Sequence, residues 1–164
     1  MISMTDIENE LTVRIRNVCN VQARYRVLWI VGEPRCGKSF LCRSLCKNNG
    51  WKYINYTLGR GFLDSLVGQE EIYRPQNFLD DLYRWCNQST EDFIVLDEIE
   101  PLLSLWTWDI QEEFFKLVGR APDLTTGIVI TTRVRTTQQL SRIFSEMDPN
   151  HIYEIQQGVI SWYN

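Results

Sequence analysis

The stretch Val27-Leu28-Trp29-Ile30-Val31-Gly32-Glu33-Pro34-Arg35-Cys36-Gly37-Lys38-Ser39 joins a continuous apolar run to a loop bounded by glycines. An apolar run of this length predicts a buried central strand, and the helical spacing of apolar residues after Lys38 predicts a helix. The last eight residues match the pattern G-x-x-x-x-G-K-[ST] in full. A strand, a glycine-rich loop and a helix in this order predict an α/β fold with a phosphate site at the loop.

The composition of the loop assigns a role to several of its residues. The glycines let the backbone fold back so that its N–H groups form an anion-binding nest. Lys38 is expected to reach the β- and γ-phosphates of a nucleotide, and the Ser39 hydroxyl is expected to bind Mg²⁺. We expect nucleotide contacts from the whole loop and the residue after it: Gly32, Glu33, Pro34, Arg35, Cys36, Gly37, Lys38, Ser39 and Phe40.

The remainder of the chain alternates short apolar runs with helical patterns, which is typical of a mostly parallel sheet. Asn48-Asn49-Gly50 predicts the end of the helix that follows the glycine-rich loop, and Asp109 and Glu112 resemble a capping box at the start of a later helix. Four further strands are predicted at residues 51–56, 93–96, 127–131 and 152–155, and helices at 6–20, 38–47, 62–67, from Pro75, after Asp109 and around Leu140, Phe144 and Met147. The prediction is one α/β domain over 1–164 with a five-stranded sheet, divided into an N-terminal helix (1–24), a core (25–155) and a tail (156–164).

A second motif follows the apolar run Phe93-Ile94-Val95-Leu96, which leads directly into Asp97-Glu98. A strand that delivers an acid at its carboxyl end is a Walker B element, in which Asp97 would hold Mg²⁺ through water. The adjacent Glu98 is placed to polarise an attacking water molecule. Beside a complete Walker A loop, this pair predicts that the bound nucleotide is ATP and that it is hydrolysed.

Composition excludes several classes of protein. The chain has 164 residues and a net charge of −4, has no apolar run long enough to span a membrane, and shows no signal-peptide pattern, so we expect a cytoplasmic protein. Cys42 and Cys46, one helical turn apart, are interpreted as buried thiols rather than as half of a metal site. Arg133, Arg135 and Arg142 are interpreted as surface charge, with DNA contact as the alternative.

Two aromatic residues after the acidic pair, Trp106 and Trp108, are expected in the core, with a partner interface as the alternative.

The strand–GxxxxGKS–helix, the segment Leu96-Asp97-Glu98-Ile99-Glu100 and the threonine-ended fourth strand together resemble the AAA+/STAND group of ATPases over residues 25–155. The resemblance implies that Thr132, or else Thr131, is the sensor 1 residue that touches the γ-phosphate or the attacking water. It implies an arginine finger, for which Arg120, Arg133 and Arg135 are possible sources, although each is expected to be a surface residue.

Within that group, the small size and the segments Tyr53-Ile54-Asn55 and Arg74-Pro75 resemble the BrxF proteins of BREX anti-phage systems. This resemblance implies a role in bacterial defence with other BREX proteins, in which DNA is reached through the complex. No helical lid is predicted after the fifth strand, so no sensor 2 arginine is assigned.

Three functions fit these motifs. The first is an ATPase that switches contacts with partner proteins or with copies of itself, and that is slow without them. The second is an adaptor that binds ATP to control assembly without hydrolysing it, and the third is a small-molecule kinase. Glu98 separates the first two, because a water-activating carboxylate serves hydrolysis and has no role in a pure binding switch.

Overall fold

The structure is a computed structural model that describes residues 2–33, 37–155 and 160–161. Its strands are β1 (Ile2–Ser3), β2 (Val27–Gly32), β3 (Lys52–Asn55), β4 (Phe93–Asp97), β5 (Gly127–Thr132), β6 (Ile152–Ile155) and β7 (Ile160–Ser161). Its α-helices are α1 (Met4–Val18), α2 (Lys38–Asn49), α3 (Pro75–Gln88), α4 (Glu100–Leu103), α5 (Trp108–Gly119) and α6 (Thr137–Ile143). Short 3₁₀ turns lie at Leu63–Leu66 and Pro149–His151.

The central sheet has five parallel strands in the order β3-β4-β5-β2-β6, which confirms the predicted fold class. All residues of β2, β4 and β5 are buried, as expected for strands that are covered on both faces. β5 lies between β2, which leads into the glycine-rich loop, and β4, which ends at Asp97. The carboxyl ends of these three strands therefore meet at one edge of the sheet.

Two apolar layers cover the faces of the sheet. Alternation along β2 directs Trp29 toward a layer that includes residues of α3, α5 and α6, and directs Leu28 toward a layer formed mainly by α1 and α2. The Trp29 ring packs on Phe115 and Phe144, with ring centroids 5.1 Å and 6.0 Å apart. The two layers together fix the strands and helices on which the residues of the site lie.

The observed helix ends agree with the sequence-based predictions at two positions and differ at a third. Gly50 ends α2 with φ of 71°, in the left-handed region that favours glycine, as predicted. Pro75 begins α3, also as predicted. The capping box predicted at Asp109 and Glu112 is wrong: α5 begins at Trp108 and its N-cap is Thr107, two residues before the predicted cap.

Other differences concern the less regular parts of the chain. α6 ends at Ile143, so Met147 lies beyond it, and a parallel pair of β1 with β7 was not predicted. Cys42 and Cys46 are buried on α2, as expected for core thiols. Residues 156–159 and 162–164 of the predicted tail lie outside the described residues. Among the described helices, none is long and apolar enough to cross a bilayer.

Candidate nucleotide site

A cavity of about 360 Å³ lies at the carboxyl ends of the parallel strands, where α/β proteins commonly bind ligands. The start of α2, the end of β4 and the residue after β5 form its walls. Its lining residues are Gly37, Lys38, Ser39, Phe40, Asp97, Glu98, Glu100 and Arg133. The two predicted motifs therefore come together in one place, although 59 residues separate Ser39 from Glu98 along the chain.

Lys38 lies at the first position of α2 and is 8% exposed. Its Nζ donates hydrogen bonds to the carbonyl oxygens of Gly32, at 2.7 Å, and Glu33, at 2.9 Å. Gly37, just before the helix, has φ of 94°, which a residue with a side chain adopts only with strain. The Lys38 ammonium group is thus buried against the carbonyl oxygens of the two residues at the start of the loop. Pro34, Arg35 and Cys36 lie outside the described residues.

Ser39 and Glu98 contact each other directly: the Ser39 hydroxyl donates to Oε1 of Glu98 at 3.1 Å. The Glu98 backbone has φ of 60°, which is uncommon for a residue other than glycine. Its carbonyl oxygen accepts a 2.6 Å hydrogen bond from the Thr57 hydroxyl, which helps to hold this conformation. Strained backbone of this kind concentrates at functional sites, because the surrounding structure must maintain it.

Asp97 is 2% exposed and is supported from both neighbouring strands. Tyr53 of β3 donates its hydroxyl to Oδ2 at 2.6 Å, and Thr131 of β5 donates its hydroxyl to Oδ1 at 2.6 Å. Burial, and then the hydrogen bond to Asp97, raise the pKa of Tyr53, so its phenol remains a donor at neutral pH. The carboxylate is therefore fixed in orientation and keeps further lone pairs for water.

Three consecutive residues at the end of β5 have different environments. Thr131 bonds to Asp97, and Arg133, although exposed, lines the cavity. Thr132 is buried, and its hydroxyl accepts from the backbone N–H of Val134 at 3.3 Å. Thr131 and Arg133 therefore serve the site, the first through Asp97 and the second as a lining residue, while Thr132 supports the turn after the strand.

Glu100 lines the same cavity and was missed by sequence reasoning. Its Oε2 is buried and has no hydrogen-bond partner among the described residues. Burial raises the pKa of Glu100 to about 7, an effect that the nearby Arg133 partly offsets. The apolar run before Asp97 marks the end of a strand, but nothing local shows that the next turn brings Glu100 back into the cavity.

Neither the family models nor the curated proteins match this chain. Among solved structures, the Walker-type ATPase PABY2304 of Pyrococcus abyssi is similar over 96% of this chain and 55% of its own, with 15% identity and a TM-score of 0.51. The fold is that of a P-loop ATPase. The chain spans about half of the length of that ATPase, and a likeness at this identity extends to the fold alone.

Two further solved structures are similar at a TM-score of 0.49. One comes from a study of katanin self-assembly, with 16% identity over 95% of this chain and 51% of its own. The other is domain III of the Thermotoga maritima replication initiation protein DnaA, with 22% identity over 90% of this chain and 62% of its own.

The predicted arginine-finger candidates have different environments in this P-loop fold. Arg120 pairs with Glu146 and donates to the carbonyl oxygen of Ile143. Arg135 was expected at the surface, and that expectation is wrong: it is 2% exposed and its guanidinium lies 3.3 Å from the centroid of the Trp108 ring. Arg133 is the one of the three that lines the nucleotide cavity.

A pH-dependent loss of stability is expected from Glu100. Its pKa in the folded protein, about 7, lies above the ordinary value of 4.5, so the folded protein holds this proton more tightly than the unfolded chain does. Stability should therefore fall as pH rises from 4.5 through 7, by about 1 to 3 kcal/mol. Thermal unfolding of the wild type and Glu100→Gln across this range should show a smaller fall in the variant, and equal falls would contradict the assignment.

Proposed function

We propose that this protein binds ATP with Mg²⁺ and hydrolyses it to ADP and phosphate. The observation that carries the proposal is the convergence of Lys38, Ser39, Asp97 and Glu98 on one cavity at the carboxyl ends of β2 and β4. The direct test is calorimetric titration of the protein with ATP and Mg²⁺, followed by measurement of phosphate release. A protein that bound no nucleotide under these conditions would overturn the proposal.

The residues present suit magnesium, which prefers oxygen ligands and keeps several waters. The Ser39 hydroxyl and the Asp97 carboxylate are such ligands, and the described residues hold no cluster of three side chains that would form an all-protein metal cage. Few protein ligands are expected where phosphate oxygens complete the coordination. Bound Mg²⁺ would neutralise charge on the β- and γ-phosphates during transfer.

Binding of ATP requires the side chains of the site to exchange partners. Lys38 would transfer its hydrogen bonds from the carbonyl oxygens of the loop to the β- and γ-phosphates. Ser39 would release Glu98, whose carboxylate could then accept a proton from the attacking water. Arg133 enters the proposal as a cation of the same chain for the γ-phosphate, and Thr131 acts through Asp97.

The sensor role predicted for Thr132 stays a prediction, now with two competing residues. Because Thr132 is buried and bonded to the turn after β5, it could reach the γ-phosphate only if that turn moved. We therefore favour Thr131 and Arg133. In a trapped state made with Glu98→Gln, Arg133→Ala should weaken ATP binding more than ADP binding.

A second function, the ATP-gated adaptor that hydrolyses little, is favoured by one observation. In this structure Glu98 already accepts the Ser39 hydroxyl at Oε1, in a strained backbone conformation, so this oxygen must change partners before it can activate water. A partner protein or a second copy that released Glu98 would turn the adaptor into an ATPase. Adding candidate partners to a hydrolysis assay distinguishes the two functions.

We propose that in the cell this protein is a nucleotide-dependent switch in a cytoplasmic multi-protein assembly. The specific assembly that we propose is a BREX anti-phage system. The support is the sequence resemblance to BrxF proteins described above. We expect neighbouring BREX proteins to co-purify with this protein when ATP is present. This co-purification should be abolished in Lys38→Ala. Full phage resistance in cells that carry Lys38→Ala would contradict this role.

The two hydroxyls that donate hydrogen bonds to Asp97 should affect the affinity of the site for Mg²⁺, and this effect can be tested. Tyr53→Phe removes one hydrogen bond of about 1 kcal/mol, so we expect about a fivefold rise in the Mg²⁺ concentration that half-saturates ATP binding. Thr131→Val should act similarly through the other oxygen. ATP binding in the presence of a chelator should not change. Tyr83→Phe, which removes a hydroxyl bonded to Pro122 away from the site, is the matched control.

A further inference from the structure

A second concave surface lies between α5 and α6, and we call it the α5–α6 groove. It has a volume of about 510 Å³ and is lined by Trp108, Glu112, Lys116, Arg120, Arg135 and Arg142, among others. Four of its lining side chains are positive and one is negative, a local charge of +3 in a chain whose net charge is −4. It shares no lining residue with the nucleotide cavity.

Two of the cations are available to a ligand. Arg120 is bonded to Glu146, and Arg135 donates to Gln111 at 2.9 Å. Lys116 and Arg142 are exposed, and within the described part of the chain neither forms an ion pair with an acid. The groove therefore offers positive charge that the protein itself does not neutralise.

An aromatic ring stands beside these cations. Trp108 is 52% exposed, although a guanidinium lies 3.3 Å from its ring centroid. That guanidinium belongs to the buried Arg135, which also donates to the Trp108 carbonyl oxygen at 3.2 Å and lies 5.3 Å from the Phe115 ring. One face of the Trp108 indole thus packs against the Arg135 guanidinium, while about half of the residue remains exposed to solvent.

Holding Trp108 in this way has an energetic cost. Arg135 is 2% exposed, and its Nε has no hydrogen-bond partner among the described residues. A buried polar group without a partner destabilises the folded protein. The protein buries a cation without satisfying it fully and thereby fixes an exposed aromatic ring at the edge of a basic groove.

We propose that the α5–α6 groove binds single-stranded nucleic acid, with a base stacked on Trp108 and the backbone phosphates beside Lys116 and Arg142. Exposed aromatic rings next to basic grooves are the usual platform for single strands, because every base offers a ring face and every nucleotide a phosphate. A duplex hides its base faces, and a phosphopeptide would use the cations without using the indole.

The test is fluorescence anisotropy of a labelled oligothymidylate, titrated with protein at low salt and without ATP, so that the result does not depend on the proposed ATPase function. Trp108→Ala should weaken binding by at least about fivefold, and Trp108→Phe should retain most of it. The double variant Lys116→Glu, Arg142→Glu should weaken binding further. The slope of log affinity against log salt concentration should also become shallower by about 0.7 for each phosphate that the variant no longer neutralises.

Controls separate the groove from non-specific charge. Lys47→Glu makes the same kind of charge reversal on an exposed position of α2 and should bind the oligonucleotide like the wild type. Thermal unfolding checks that each variant folds, and the exposed Lys116 and Arg142 positions keep the test valid if Trp108→Ala unfolds.

Three outcomes overturn the proposal. The first is no binding by the wild type at about 50 mM salt. The second is an equal reduction of binding in Lys47→Glu. The third is binding that a phosphopeptide or heparin competes away fully and that Trp108→Ala leaves unchanged, which would show a general anion site.

Discussion

Lys38→Ala is expected to weaken ATP binding by at least about 100-fold. The lysine is 8% exposed and lies at the start of α2, so its removal deletes the charge that we propose for the β- and γ-phosphates, in a site partly shielded from water. Hydrogen bonds to charged groups contribute about 1.5 to 3 kcal/mol each, and two of them account for a reduction of this size. Isothermal titration with ATP and Mg²⁺ measures it.

Stability must be measured with the same variant, because Lys38 also bonds to the carbonyl oxygens of Gly32 and Glu33. Lys47→Ala, at an exposed position of the last turn of α2, removes the same charge outside the site and should leave the affinity unchanged. Equal affinity in Lys38→Ala and the wild type, with both folded, would show that ATP is bound elsewhere or not at all.

Glu98→Gln should retain ATP binding and reduce hydrolysis by at least about 100-fold, the usual range for removal of a general base. The amide oxygen can still accept from the Ser39 hydroxyl, so the site should stay intact, but an amide cannot take up a proton from water. The variant should therefore accumulate the ATP-bound form. Single-turnover phosphate release beside ATP binding measures both effects.

The control for this change is Glu113→Gln, at an exposed position of α5, which should hydrolyse ATP like the wild type. Unchanged hydrolysis in Glu98→Gln would remove Glu98 as the base. Attention would then move to Glu100, the third carboxylate of the cavity, whose Oε2 has no hydrogen-bond partner among the described residues.

Local patterns in the sequence predicted much of the fold. The apolar runs at β2, β4 and β5 predicted buried strands because both faces of a parallel sheet are covered. Gly50 and Pro75 marked helix ends because their backbone preferences act within one turn. Thr107, which displaced the predicted capping box, shows the limit of such signals, since neighbouring polar residues can each begin a helix.

Contacts between segments that are distant along the chain could not be predicted from the sequence. The hydroxyls of Tyr53 and Thr131 meet Asp97 only because β3 and β5 lie on either side of β4, and a single sequence does not give the order of strands. The burial of Arg135 likewise depends on α5, which supplies Trp108 and Gln111. A charged residue after a strand resembles a surface residue until the packing around it is known.

The most direct test of ATP hydrolysis at this site is phosphate release by the wild type, measured with and without Mg²⁺ over a wide range of protein concentration. We expect release that requires Mg²⁺, saturates with ATP and increases in specific activity with protein concentration if self-association completes the site. Tight ATP binding with no release at any concentration would contradict hydrolysis by this protein alone and would leave the ATP-gated adaptor.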